Sequence, residues 1–143
     1  MIKVLKIIGI IFLSIVLLFS GCAYYVYQKS TTYESTAVPF IEDIIPKLST
    51  WNLDTHRLYS TPESNESIND DDLSKLLKWL SKLGGLVSIE KPTFKGVMNG
   101  NFITYVFIAH YENGDAGITV QLEDDNGKFL INQFHVESMA LIE

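Results

Sequence analysis

The stretch YVFIAHYENGDAGITVQLEDDNGKFLINQFHV, Tyr105 to Val136, decides the fold. Its apolar residues alternate with polar or small ones, the period-two signature of strands with one buried face. Two Asn-Gly pairs, Asn113-Gly114 and Asn126-Gly127, interrupt it, and a third, Asn99-Gly100, precedes it. Asn-Gly suits a two-residue type I′ turn, in which both central residues take positive φ. A turn at Asn113-Gly114 sets Tyr111 opposite Ala116, Ala109 opposite Ile118, Phe107 opposite Val120 and Tyr105 opposite Leu122, all on one face. A turn at Asn126-Gly127 sets Leu122 opposite Ile131 and brings Phe129 to the same face. Phe134 and Val136 then fall out of phase, and one bulge near Asn132-Gln133 returns them to the core side. With a strand from Leu86 ahead of Asn99-Gly100, the expectation is a four-stranded antiparallel meander.

Upstream the period becomes helical. Between Thr36 and Leu48, residues Val38, Ile41, Ile44, Ile45 and Leu48 recur at helical spacing; Pro39 fits the first turn and Pro46 should kink the helix or end it early. A short second helix is predicted over Thr55 to Tyr59 with Asp54 as its N-cap and Trp51 and Leu53 packed behind. Thr61 to Asn69, TPESNESIN, reads as a polar loop. A third helix is capped by Asn69 or Asp70. It places Asp70, Asp71 and Asp72 at its positive N-terminus and Lys75, Lys78 and Lys82 toward its C-terminus, and Leu73, Leu76, Leu77, Leu80 and Leu83 share one face. Gly84-Gly85 stop it. Helices followed by an antiparallel meander make an α+β domain with the helices on one sheet face, here residues 36–143.

Ahead of this domain stands an apolar segment. Ile7 to Phe19 is apolar except for Gly9 and Ser14 and follows a short basic start with Lys3 and Lys6. Two readings of residues 1–28 stay open. In one, Leu-Phe-Ser-Gly-Cys resembles a lipobox, and Cys22 is the diacylated first residue of a mature lipoprotein. Against it, Phe19 stands where a branched aliphatic residue is usual, and the chain after Cys22 stays amphipathic. In the other, the 22 uncharged residues from Ile7 to Gln28 form about 33 Å of helix, enough to cross a hydrocarbon core. Tyr24, Tyr25 and Tyr27 then make an interfacial aromatic belt with Lys29 just beyond, and the leading lysines place the N-terminus inside. Both readings tether the domain at the membrane, outside the cytoplasm. Residues 29–35 read as a polar linker.

Residues 1–32 carry three lysines and no acid, whereas the other 111 residues carry eight Lys/Arg against seventeen Asp/Glu, leaving that part nine charges negative. Such an excess repels phosphate backbones and disfavours nucleic-acid binding. A single cysteine excludes an internal disulfide and a cysteine-based zinc site.

Four segments carry a resemblance: Trp51 to Ser60, Leu83 to Ser88, Tyr111 to Gly114, and Gly127 to Val136. They resemble the cystatin-like, nuclear-transport-factor-2-like group of α+β cone folds, and more narrowly bacterial proteins with such a domain behind an N-terminal membrane segment. The wider fold has a Gly-aromatic-x-Ile…Phe-x-Val strand, which Gly127, Phe129, Ile131, Phe134 and Val136 match. The resemblance spans Val38 to Ser138 and speaks for fold more than for function, because the same cone serves isomerases, dehydratases, transport factors and assembly subunits. In enzymes on this cone an acid–base pair sits in the open end of the cavity; the matching liners here would be Tyr59, Tyr105, Trp79 and Asp54.

No catalytic, cofactor or metal grouping emerges from the residues. His56, His110 and His135 read as surface or edge histidines without converging acids. Asp70-Asp71-Asp72 suits a helix start, and Asp124-Asp125-Asn126-Gly127 lacks the spacing and closing Glu of a calcium loop. The expectation is a tethered binding module without a catalytic constellation, with a small-ligand-binding or enzymatic role in the cone cavity as the alternative. One surface stands out: Phe102, Thr104, Val106, Ile108 and His110 fall on the sheet face away from the core, too apolar for full solvation. This marks a candidate face for contact with a second copy or another envelope protein.

Overall fold

In the computed structural model, residues 2–142 are described, the side chains of residues 26 and 29–31 excepted. Five strands form one antiparallel sheet: β1 (Leu86–Ile89), β2 (Thr93–Met98), β3 (Phe102–Tyr111), β4 (Gly114–Asp125) and β5 (Lys128–Glu137). β3, β4 and β5 are neighbours in chain order, while β1 and β2 both pair with the remaining edge of β3. The expected first strand is thus broken in two. Pro92 lies in the gap, where it has no N–H to give to the ladder.

The second expected turn forms as its chemistry dictates. Asn126 and Gly127 take φ of +53° and +88°, and Leu122 stands opposite Ile131. Asn132 is the extra residue of a bulge, so that Gln121 faces Gln133 and Val120 faces Phe134. Phe134 and Val136 are thereby returned to the core side. At Asn99-Gly100 both φ values are positive, but Met98 pairs with Phe102, so the connection has three residues instead of two.

The β3–β4 turn departs from expectation by two residues. Tyr111 pairs with Gly114 and Ala109 with Ala116, so the turn is centred on Glu112-Asn113. Tertiary hydrogen bonds explain it: the Glu112 N–H donates to the Gly85 carbonyl (2.9 Å) and the Asn113 N–H to the Leu83 carbonyl (3.0 Å). The Asn113 side-chain amide adds a bond to the Lys82 carbonyl at 2.8 Å. A two-residue shift preserves every side chain's face, so the core composition is unchanged. Gly114 is needed here for proximity: its φ is +155°, and a Cβ would lie 2.8 Å from the Ala140 Cβ.

Five α-helices complete the fold: α1 (Ile2–Glu34), α2 (Ala37–Leu48), α3 (Leu53–Tyr59), α4 (Pro62–Ser67) and α5 (Asp70–Leu80). α1 is longer than expected. The stretch 29–35, read as a linker, is helical as far as Glu34, because Tyr33 is drawn into the core and Glu34 meets Lys91 at 2.6 Å. α2 runs two residues past Pro46, since the bond lost to that proline falls on the exposed Glu42–Pro46 side. The cap of α3 is Asn52, which accepts from the Thr55 N–H (3.1 Å), and not Asp54. The polar stretch read as a loop contains α4, started by the Thr61 hydroxyl and by Pro62 at a first-turn position where its missing N–H costs nothing. α5 is capped by Asn69 and passes into a 3-10 turn at Ser81–Leu83.

Ile41, Ile44, Ile45 and Leu48 of α2 are shut off from solvent with Ile103, Tyr105, Phe107 and Ala109 of β3 and Ile118, Val120 and Leu122 of β4. Each fully buried aliphatic side chain contributes about 1.5–3 kcal/mol by leaving water.

Because Gly114 abuts Ala140, Gly114→Ala should destabilise the domain by about 1–3 kcal/mol. Adding Ala140→Gly should recover part of that loss in chemical denaturation. No recovery in the double variant would mean that backbone strain alone sets the cost.

Candidate binding cleft

Packing α2 over the middle of the sheet leaves β5, the edge strand, to be covered by α3, α4 and α5. The cover is incomplete, and a cleft of about 590 Å³ opens between β5 and these helices. Leu73, Leu76, Leu77 and Leu80 of α5 form one wall, Ile131 to Val136 the other, and Leu48 and His56 lie at its base.

The polar groups around the cleft are committed to one another. His56 is buried, against the expectation of a surface residue, because its ring stacks on Trp51 at 6.3 Å and meets Phe134 edge-on at 5.9 Å. Its Nε2 donates to the Leu48 carbonyl at 2.9 Å, which fixes the tautomer and satisfies an open carbonyl at the end of α2. Burial pushes its pKa down, the hydrogen bond to Leu48 opposing in part. Arg57 donates to the Asn65 carbonyl (2.5 Å), the Ile68 carbonyl (2.6 Å) and Asp70 (3.0 Å), and so ties α3 to the C-terminal half and C-cap of α4 and to the start of α5. Asn65 returns a bond to the Arg57 carbonyl at 3.0 Å. The bulge residue Asn132 donates to Gln121 at 2.7 Å and accepts from the Thr61 hydroxyl at 3.1 Å. What these polar groups leave free in the walls is mainly apolar surface.

Of the liners implied by the resemblance, Trp79 borders this cleft. Tyr59 lies under Lys47, whose Nζ is 5.7 Å from the ring centre, and Asp54 sits in the first turn of α3. Tyr105 is 1% exposed, its hydroxyl has no partner among the described residues, and burial, then Glu34 and Tyr33, push its pKa up to about 12. Those four residues do not converge. Nor, among the described residues, does any group of three His, Cys, Asp or Glu side chains converge as metal ligands. Asp70 is spent on Arg57, and Asp124 accepts from the Gly127 N–H at 2.9 Å as a turn residue. Cys22 is exposed on α1. The sequence did not single out His56 and Arg57. The signal available was a histidine and an arginine side by side between Trp51 and Asn65.

On the opposite sheet face, Phe102, Thr104, Val106 and His110 are half-buried and Ile108 is 46% exposed. His110 holds Asp115 at 2.7 Å through Nδ1 and faces Glu90 at 3.5 Å through Nε2. The bond to Asp115 leads in raising its pKa, with Glu90 adding to it. His135 lies beside Glu137, 3.1 Å away.

The two shifted histidines act on stability with opposite sign. A raised folded pKa makes His110 stabilising below its unfolded value of about 6.5, a contribution lost as pH rises through the folded value. A lowered folded pKa makes His56 increasingly unfavourable as pH falls below about 6.5, because the unfolded chain then binds a proton that the folded one refuses. Denaturant midpoints between about pH 5 and 8.5 should therefore separate the variants. The deficit of His110→Gln should be largest at the acid end and that of His56→Gln at the alkaline end. Deficits independent of pH would contradict both assignments.

Comparison of the chain with protein-family models, with curated proteins and with solved structures gave no match. The cystatin-like likeness accordingly rests on the four segments quoted above.

Proposed function

We propose that this chain is a membrane-tethered binding module whose α+β domain, a cystatin-like cone, is held outside the cytoplasm and works by contact with a partner, not by catalysis. The observation that carries the reading is α1. Its first 24 residues, Ile2–Tyr25, are predominantly apolar after Lys3 and Lys6 and wholly unburied, and at about 1.5 Å per residue they exceed a ~30 Å hydrocarbon core. The same helix continues without a break until Tyr33 enters the domain core, so tether and domain share one helix. Lys3 and Lys6 favour the N-terminus on the cytoplasmic side. Phe19, where a lipobox has a branched aliphatic residue, and the tyrosines after Cys22 favour an uncleaved span over a lipid at that residue.

Binding, in preference to chemistry, is supported by the commitment of His56 and Arg57 to backbone carbonyls. One candidate contact is the outer sheet face, where Phe102, Thr104, Val106, Ile108 and His110 run between the exposed Met98 and Val87 at its margins. A second copy of the chain or another envelope protein would remove this apolar strip from water.

Intact-mass measurement of the membrane-extracted protein should give residues 1–143 uncut. A diacylated species beginning at Cys22 would exchange the helix for a lipid and keep the tether, whereas a cut and released domain would end the tether reading. Val106→Asp in the full-length protein should abolish cross-linked dimers or partner capture without lowering stability much, since Val106 is half-buried. Unchanged capture by that variant would remove the outer face from consideration.

A further inference from the structure

β5 is an edge strand, and its free side is used once by the chain itself. Ser60 bridges to Ile131 in the parallel sense, and the Thr61 N–H donates to the Ile131 carbonyl at 2.9 Å. The chain then leaves into α4. Among the described residues no further backbone hydrogen bond reaches β5 from that side, so Gln133 to Glu137 present an open edge. The cleft lies along this edge. Six consecutive residues, Ile131 to Val136, border it, whereas a cleft over a sheet face would touch alternate residues only. Its far wall is the leucine row of α5.

Resting on the reading of this chain as a binding module, we infer that the cleft takes an extended peptide segment of net positive charge. The segment adds a strand to β5 beyond Ser60-Thr61 and sends alternate apolar side chains toward Leu73, Leu76 and Leu80. Three features select this occupant. Unpaired strand edges gain main-chain hydrogen bonds from an added strand, with pockets for every second side chain supplying specificity. His56, Arg57, Asn65 and Asn132 are already satisfied within the chain and the wall opposite β5 is a leucine row, so the pocket favours apolar side chains over a polar small molecule. The cleft lining itself holds Arg57 and no carboxylate. The elements that frame it, α3, α4, α5 and β5, however carry seven carboxylates against four Lys/Arg in an acidic domain, so the wider field favours a cationic segment. A volume of about 590 Å³ holds a few apolar side chains, and the five residues Gln133 to Glu137 offer about 17 Å of edge.

The test uses the full chain in detergent micelles and a synthetic peptide of alternating valine and lysine, blocked at both ends. Binding should slow amide hydrogen exchange in Gln133 to Glu137. The same peptide N-methylated at alternate amides, which cannot pair with a strand, should bind at least about tenfold more weakly. Leu76→Lys, at a position already 41% exposed and thus tolerant of change, should weaken binding by about tenfold or more. Val106→Asp on the outer face should leave it unchanged, so loss of the outer-face contact is distinguishable from loss of the cleft. Neither result depends on which side of a membrane the domain occupies. Equal binding of the methylated peptide, or no protection along β5, would overturn the proposal. So would palmitate binding that alone responds to Leu76→Lys, since the cleft would then take an acyl chain.

Discussion

One apolar sheet face has to be kept from water, and the rest of the structure follows from how that is done. β3 and β4 together present seven inward residues, Ile103 to Ala109 and Ile118 to Leu122 at alternate positions, none more than 4% exposed. Among the described helices after α1, α2 carries the apolar face that covers them, through Ile41, Ile44, Ile45 and Leu48. Its own ends must then be closed. The Leu48 carbonyl accepts from both the Trp51 N–H and the His56 ring, and Trp51 takes a φ of +57° to make the first of these bonds. Left-handed backbone at a non-glycine residue costs about 1–3 kcal/mol and persists only when its surroundings hold it. Here the hold is the stack of Trp51 on His56 and its contact with Tyr111.

The cleft is a by-product of the same constraint. α3 and α4 are too short, and α5 too polar outside its leucine row, to cover β5 as α2 covers β3 and β4, and they are assembled by hydrogen bonds to Arg57 and Asn132 as much as by apolar contact. Asn132 has a double part. As the bulged residue it returns Phe134 and Val136 to the core, and the side chain freed from the ladder becomes the socket for Thr61. The strand edge beyond that socket stays open because α4 turns the chain away from it.

Much of this was legible. Hydrophobic alternation located the inward face of every long strand, the out-of-phase Phe134 and Val136 announced the bulge, and the leucine spacing found α5 with its acidic start. The misreadings share a cause. An Asn-Gly pair fits a type I′ turn well, yet at Asn113 the carbonyls of Leu83 and Gly85 outweigh local preference. Local sequence knows nothing of those carbonyls. The α4 segment has no apolar face, so periodicity had nothing to detect; its helix is made by Thr61, Pro62 and the Arg57 cross-ties. His56 gave no sign of burial because its partners are Trp51 and Leu48, five and eight residues before it, and Phe134 far along β5.

By itself the sequence determined the class of the fold, the face each long strand turns inward and the presence of a membrane-length apolar helix. These depend on side-chain order along the chain, through periods of 2 and 3.6 and the length of an uncharged run. Only the tertiary structure decided the β3–β4 register, the unbroken passage of α1 into the core, and the cleft beside β5. Each of those depends on where a distant carbonyl, ring or strand edge comes to rest, and such distances arise only once the layers have packed.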